Sequence, residues 1–274
     1  MMQLGYIGLG NMGGALARRL MREHQLRAFD LRPEVLGRFA ELGAVPTQSA
    51  QALARESEMV MTCLPTSAEV RDVLFGEGRV AEVLRPGQII ADMTTGDPGE
   101  TREMAARLAE KGVHMIDAPV SGGPHGANAG TIAIMIGAPA DLFAKVKPIF
   151  ETISPNIFHT GNVGTGHVMK LVNNVISAGV RAVTFEALAM GIKNGFEPRD
   201  LHGRTAEGQR AQRHHRARTA QIAEGRFQCQ LHAGADAQGC AAGDQARHRQ
   251  CNTNGSGQCR ARAVSDGDQR ARRR

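Results

Sequence analysis

The stretch that decides the fold is QLGYIGLGNMG, residues 3–13. Gln3–Leu9 reads as a buried parallel strand, short, largely apolar and bounded by glycine. Gly8-Leu9-Gly10-Asn11-Met12-Gly13 then forms a G-x-G-x-x-G turn that opens a helix over Gly10–Met21. In such a turn Gly8 allows the sharp reversal, Gly10 lets the backbone approach a pyrophosphate, and Gly13 permits close helix-to-strand packing. The phosphates meet the free amides of the helix N-terminus, where Asn11 and Met12 stand. Glycine turns are common, so the motif alone is weak. Here a strand precedes it, and Asp30 ends the next strand, Arg27–Asp30, where an acid accepts the ribose hydroxyls. Asp30 favours NAD. Arg32, two residues on, can instead meet a 2′-phosphate, so NADP stays open.

Outward from this turn, strand and helix alternate. Met59–Leu64, Ile89–Asp92, Val113–Asp117 and Ile132–Ile136 read as strands, with helical stretches at Pro33–Leu42 and Glu69–Phe75. Asp97-Pro98-Gly99-Glu100 is a strong helix start, with an acid at the N-cap and proline in the first turn. The alternation predicts an α/β fold, a Rossmann-like doubly wound parallel sheet covered on both faces. Gly164–Lys193 then reads as one long helix, apolar on most sides, which must be covered by other parts of the protein.

The chain changes character at Leu201. From His202 to Arg274 the large apolar residues are Ile222, Phe227, Leu231 and Val264, alongside fourteen arginines and four of the five cysteines. Four such side chains cannot offset the entropy of ordering 73 residues, so a disordered tail is expected. Glutamine, arginine, alanine, glycine, histidine and cysteine are what a GC-rich gene yields out of frame. With ordinary codons, a one-nucleotide shift turns Leu231–Gln250 into FTLALMHKDVRLATKLGID. The same shift turns His202–Arg218 into TAELLKGSGRNATTERE, and residues from Gln250 on into NATPMVVANVARELFQMAINEHG. Three amphipathic readings in one frame imply a shift near Leu201–His202. The predicted organisation is a dinucleotide-binding domain over 1–162, an interdomain helix and the start of a helical domain over 163–201, and a non-native tail over 202–274.

Fourteen arginines against six acids give the tail +8, so the net charge of +6 leaves residues 1–201 at −2. The basic balance therefore gives little warrant for a nucleic-acid partner. Only Cys63 lies in the body, which suits a reducing cytosol. The first strand starts close to Met1, leaving no room for a signal peptide. No apolar run reaches the length of a membrane span. A cytoplasmic protein without membrane or specific nucleic-acid partners is expected.

Further residues point to chemistry. Cys63-Leu64-Pro65-Thr66-Ser67 and Thr94-Thr95 follow strands, at the sheet end where ligand loops lie. Thr66-x-x-Glu69 is equally a capping box. Ser121-Gly122-Gly123 offers a hydroxyl and two amides, a carboxylate cradle or else a plain turn. Lys170 lies in the apolar helix, with Asn173 and Asn174 on its own face. Desolvation there can bring a lysine towards catalytic use, unless it snorkels to the surface.

These motifs, GYIGLGNMG (5–13), CLPTS (63–67), DMTTGDP (92–98), DAPVSGG (117–123) and GTGHVMKLVNN (164–174), resemble the β-hydroxyacid dehydrogenases, the group containing 3-hydroxyisobutyrate dehydrogenase and tartronate semialdehyde reductase. The resemblance covers about 200 residues. It implies a Rossmann-like domain joined by the long helix to a helical domain, a homo-oligomer, and a small hydroxy-acid or semialdehyde substrate. It makes Lys170 the catalytic lysine and Ser121, Gly122 and Gly123 the substrate-carboxylate site. Asn174 would position the substrate, and Leu64, Pro65 and Thr95 would contact the nicotinamide half of the cofactor. The family's Ser-Gly-Arg segment and later Lys-Asp occur only in the shifted readings, as KGSGRN and HKD. Gln238 and Gly239 stand near the position of the Lys-Asp pair. An inactive dinucleotide-binding remnant and an interaction protein with an arginine-rich tail are the competing readings.

Overall fold

The computed structural model describes residues 2–197; the expected disordered tail over 202–274 lies outside the described residues. The elements in chain order are β1 (Leu4–Ile7), α1 (Asn11–Leu20), β2 (Leu26–Phe29), α2 (Pro33–Glu41), β3 (Val45–Pro46) and α3 (Ala50–Arg55). They continue with β4 (Met59–Thr62), α4 (Ser67–Phe75), β5 (Ile89–Asp92), α5 (Pro98–Ala109) and β6 (His114–Asp117). Then come β7 (Val120–Ser121), α6 (Gly123–Ala129), β8 (Ala133–Gly137), α7 (Ala140–Glu151), β9 (Ile157–Gly161) and α8 (Thr165–Lys193).

The strands form one sheet in the order β3-β2-β1-β4-β5-β6-β8-β7, with β9 on the other edge of β8. β1 through β6 pair in parallel, in the registers Leu4↔Leu26, Leu4↔Met59, Met59↔Ile89 and Ile89↔His114. The parallel expectation needs one correction: β8 runs antiparallel to both β6 and β7. Strand direction there depends on the connection, which reverses through the short α6 instead of crossing over, and apolar periodicity carries no record of it.

Alternation along each strand builds two cores. On β4, Met59 and Met61 face one layer and Val60 the other; on β5, Ile89 and Ala91 part from Ile90 in the same way. One layer packs on Leu16 and Leu20 of α1, Phe39 of α2 and Phe150 of α7. The other packs on Leu53 of α3, Leu74 of α4 and Leu108 of α5. The period-two pattern thus sets a sheet covered on both faces, as a doubly wound fold requires.

The helix starts carry the chemistry read for them. Thr66 and Glu69 form the capping box of α4, and the Asp97 carboxylate accepts from the amides of Gly99 and Glu100 at 2.7 and 2.9 Å. Glu100 turns outward to Arg71 (2.7 Å) instead of reaching back to the cap.

α8 corrects a second expectation. It is 29 residues long, with a window of mean hydropathy 1.5, long and apolar enough to cross a membrane by length and composition. Lys170, Asn173, Asn174 and Arg181 interrupt it, so the helix passes on average composition although it holds no continuous apolar run of that length.

Candidate functional site

Two loops meet at the C-terminal ends of β1 and β4. The chain turns one way from β1 to β2 and β3, then returns to place β4 on the opposite side of β1. This is the switch point at which open α/β sheets bind ligands. Gly8 has φ +95°, and a Cβ there would strike the Cys63 carbonyl oxygen and Leu64 Cδ2. A Cβ on Gly13 would strike the Gly8 carbonyl oxygen. Both glycines are required by the fold itself.

Gly10 differs. Its backbone (φ −64°, ψ −168°) suits any residue, and a Cβ would meet nothing nearer than an Arg32 nitrogen at 3.9 Å. The fold leaves Gly10 free to carry a side chain, so its glycine serves the space above it. It is also the N-cap of α1 and caps with no side chain, so the amides around exposed Asn11 and half-buried Met12 face that space uncapped. These residues fit a pyrophosphate. We expect Gly10→Val to leave the melting temperature within a few degrees and to remove dinucleotide binding. A calorimetric titration with NADH checks this, and undiminished affinity would refute the assignment.

Asp30 stands at the end of β2. Its Oδ2 accepts from the Leu9 amide (2.7 Å), which ties β2 to the turn, and its Oδ1 accepts from the Arg32 amide (3.0 Å). The Arg32 guanidinium clasps the same carboxylate, with Nε 2.9 Å from Oδ1 and a terminal nitrogen 3.0 Å from Oδ2. Burial pushes the Asp30 carboxyl up, but these hydrogen bonds and the Arg32 charge bring it below the ordinary value. A cleft of about 520 Å³ adjoins the turn, lined among others by Gly10, Asn11, Arg18, Arg32 and Arg38. Three guanidinium groups around one cleft suit a ligand that carries phosphates.

The residues expected at the nicotinamide also lie beyond strand ends. Leu64 follows β4, and its amide donates to Thr94 Oγ1 at 3.1 Å, joining the loop after β4 to the loop after β5. Pro65 and Thr95 are exposed on these two loops. Burial, the Asp92 charge adding to it, pushes the Cys63 thiol up to about 12, away from the range of a reactive thiolate.

Of the residues expected at the substrate, Ser121 closes β7, and Gly122 (φ +139°) and Gly123 (φ +67°) open α6. Both glycines hold backbone conformations that side chains rarely adopt, and a Cβ on Gly123 would meet nothing within 4 Å. Asn173 of α8 donates through Nδ2 to Ser121 Oγ at 2.9 Å. Asn174, which the resemblance assigns to the substrate, stands next to Asn173 on α8 and is likewise half-buried. Lys170, one turn earlier, is half-buried, and burial alone holds its amine below the ordinary lysine value.

The sequence missed the residues beneath this helix. Asp117, fully buried at the end of β6, accepts from the Gly164 amide through Oδ1 (2.6 Å) and from the His167 amide through Oδ2 (2.7 Å). Burial raises its carboxyl above the ordinary value, against the pull of those amides and of His167. The His167 ring, also fully buried, lies with Nδ1 2.9 Å from Thr101 Oγ1 and Nε2 3.0 Å from the Thr94 carbonyl oxygen. Asp92 Oδ1 accepts from Thr62 Oγ1 and the Thr94 amide, both at 3.0 Å, and its Oδ2 lies 3.9 Å from His167 Nε2. Asp92, Asp117 and His167 stand inside motifs already quoted, where the two acids read only as strand ends.

Residues 3–161 match the family described as the NAD binding domain of 6-phosphogluconate dehydrogenase. The chain is 38% identical over 199 residues to 3-hydroxyisobutyrate dehydrogenase of Pseudomonas aeruginosa, covering 72% of this chain and 67% of the relative. It is 39% identical over 201 residues to a Dictyostelium discoideum protein named "Probable 3-hydroxyisobutyrate dehydrogenase, mitochondrial", covering 73% of this chain and 63% of the relative. The chain therefore spans about two thirds or less of the length of these relatives. A solved Mycobacterium tuberculosis 3-hydroxyisobutyrate dehydrogenase with L-serine superposes with a TM-score of 0.67 at 32% identity, over 72% of this chain and 67% of that one. By these matches the chain belongs to the β-hydroxyacid dehydrogenase family.

Proposed function

We propose that this chain derives from an NAD-dependent dehydrogenase of short 3-hydroxy acids, with Lys170 as the proton acceptor in oxidation and donor in reduction. The observation that carries the reading is a half-buried lysine on α8, one turn before the asparagine that holds Ser121 of the Ser-Gly-Gly cradle. Gly8, Gly10, Asn11, Met12 and Gly13 hold the pyrophosphate and Asp30 the adenosine ribose. Leu64, Pro65 and Thr95 flank the nicotinamide. Ser121, Gly122 and Gly123 bind the substrate carboxylate, and Asn174 orients the substrate. The bound cofactor supplies the hydride chemistry; the chain's residues orient the two reactants and move the proton at the hydroxyl oxygen. Orientation and acid–base work are the two contributions open to such a site.

In this reading NAD is preferred because the Asp30 carboxylate stands where a 2′-phosphate would meet like charge. Arg32 is half-exposed, but the Asp30 carboxylate that it clasps is largely buried, so the pair keeps the guanidinium on Asp30. Asp30→Ala should therefore free Arg32 and move preference from NAD towards NADP by about 10-fold or more, one lost charge-assisted contact plus one relieved repulsion. Binding titrations with both dinucleotides decide it, and an unchanged ratio removes Asp30 from selectivity.

The organisation proposed with it is a dinucleotide-binding domain over 1–162, an interdomain helix and helical-domain start over 163–201, and out-of-frame residues over 202–274, in a cytoplasmic protein whose intact relatives associate with themselves. The test is a frame-restored full-length chain assayed by nicotinamide absorbance against 3-hydroxyisobutyrate, L-serine and their homologues. Turnover of at least one 3-hydroxy acid with NAD is expected. A folded protein that binds NADH and turns over none of them would instead favour an inactive remnant.

A further inference from the structure

We propose that His167 and Asp117 are positioning residues that fix Lys170 relative to the loops flanking the nicotinamide. The proposal rests on the acid–base reading of Lys170. It starts from an inequality among helix caps. α4 and α5 are capped by Thr66 and Asp97, both exposed, as most helices are. α8 is capped instead by a fully buried carboxylate, with a second fully buried carboxylate, Asp92, beside the ring in its first turn. Burying charge is costly, and a fold that needed only a helix start had cheaper means at hand.

The joint is also built without slack. A Cβ on Gly166 would strike the Met135 carbonyl oxygen and come within 2.9 Å of Asp117 Oδ2. One on Gly137 would strike Asp117 Oδ1, and one on Gly96 would lie 2.8 Å from His167 Cε1. Glycines from α8, β8 and the loop after β5 thus all make room for the same two side chains.

The connections run towards the cofactor loops. A carbonyl oxygen only accepts, so the proton on His167 Nε2 is donated to Thr94. The Thr94 hydroxyl oxygen accepts in turn from the Leu64 amide. One continuous path therefore joins α8 to the loop after β5, which carries Thr95, and to the loop after β4, which carries Leu64 and Pro65. Lys170 lies three residues beyond His167, less than one turn along a stiff helix, about 4.5 Å of rise. Whatever fixes His167 fixes the root of that lysine. The charged groups that face the ring are Asp92 from β5 and Asp117 from β6.

The experiment compares His167→Leu, which fills the volume without bonds, with His167→Gln, which keeps a donor for the Thr94 carbonyl. In the full chain as written, pulse acylation across pH with mass spectrometry reads the ionisation midpoint of Lys170. In the frame-restored chain, kcat and KM are measured, and NADH binding reports the fold in both. His167→Leu is expected to bind NADH normally and to lose about 10- to 100-fold in kcat, as for a displacement near 1 Å. Its KM should change only a few-fold, and its Lys170 midpoint should rise towards that of a free lysine as water reaches the amine. His167→Gln should recover most of both effects. A His167→Leu protein that binds NADH with the wild-type midpoint and kcat overturns the proposal, even if its melting temperature falls. If that variant does not bind NADH, Thr101→Val replaces it, since it keeps the ring and removes its Nδ1 partner, along with one hydroxyl bond to the Asp97 carbonyl oxygen. Its Lys170 midpoint must then move in the same direction, and an unmoved one overturns the proposal. If the midpoint moves while Lys170→Ala keeps its turnover, the positioning stands and the acid–base reading falls.

Discussion

Lys170→Ala in the frame-restored protein should lower turnover by about 10²- to 10⁴-fold, the usual loss when a proton-transfer group is removed. Affinity for NADH should scarcely change, because the glycine turn and Asp30 follow β1 and β2, whereas Lys170 lies on α8. The pH profile gives the sign. Oxidation needs the free amine, so its kcat rises as Lys170 loses its proton; reduction needs the ammonium and falls over the same range. Burial holds the Lys170 amine below the ordinary value of 10.5, so both limbs should lie below that pH. Lys170→Arg keeps a cation and its donors but cannot give up a proton at accessible pH. It should be as slow in oxidation as the alanine variant, with the limb gone in both. A Lys170→Ala enzyme within a few-fold of the parent, its limb intact, would take the lysine out of the chemistry.

The parts of the fold that the sequence displays are those with a repeating signal. β1, β4 and β5 are buried on both faces, so they appear as short apolar runs and fall within a few residues of their expected positions. β3 and β7 are two residues each and carry no period at all. α7 holds Pro148 inside it, and α6 reads GPHGANA, a composition that argues against a helix. Yet in α7 Leu142, Val146, Ile149 and Phe150 are buried at helical spacing, and packing on the sheet outweighs the proline. The site divides in the same way. The glycine turn, Asp30, the Ser-Gly-Gly segment and Lys170 stand out as candidates because residue type and spacing there state a requirement. Asp117 and His167 are not, because a strand-end acid and a helical histidine look alike whether they face water or lie sealed between α8 and the sheet. Only the burial and the two amide bonds to Asp117 tell them apart.

Restoring the reading frame across the Leu201 codon should raise turnover by at least about 10²-fold over the chain as written, the scale of losing the alignment of reactants. The physical case lies in α8. Val168, Val172, Val175, Ile176, Val180, Val183 and Phe185 are exposed, Val175 at 72% and Phe185 at 66%. So many contiguous apolar side chains on one helix drive association unless another part of the protein covers them. The residues that follow supply four large apolar side chains as translated, whereas the shifted frame reads as amphipathic stretches with the lysine-aspartate pair and the serine-glycine-arginine segment the family carries. The restored protein should therefore be more soluble as well as faster, with NADH affinity equal in the two forms, since every residue of the nucleotide cradle precedes the break. Sequencing the gene across that codon comes first, then parallel purification of both chains with light scattering and kinetics. Equal turnover and equal solubility would mean that residues 202–274 complete the enzyme as written, and the inferred nucleotide shift would have to be abandoned.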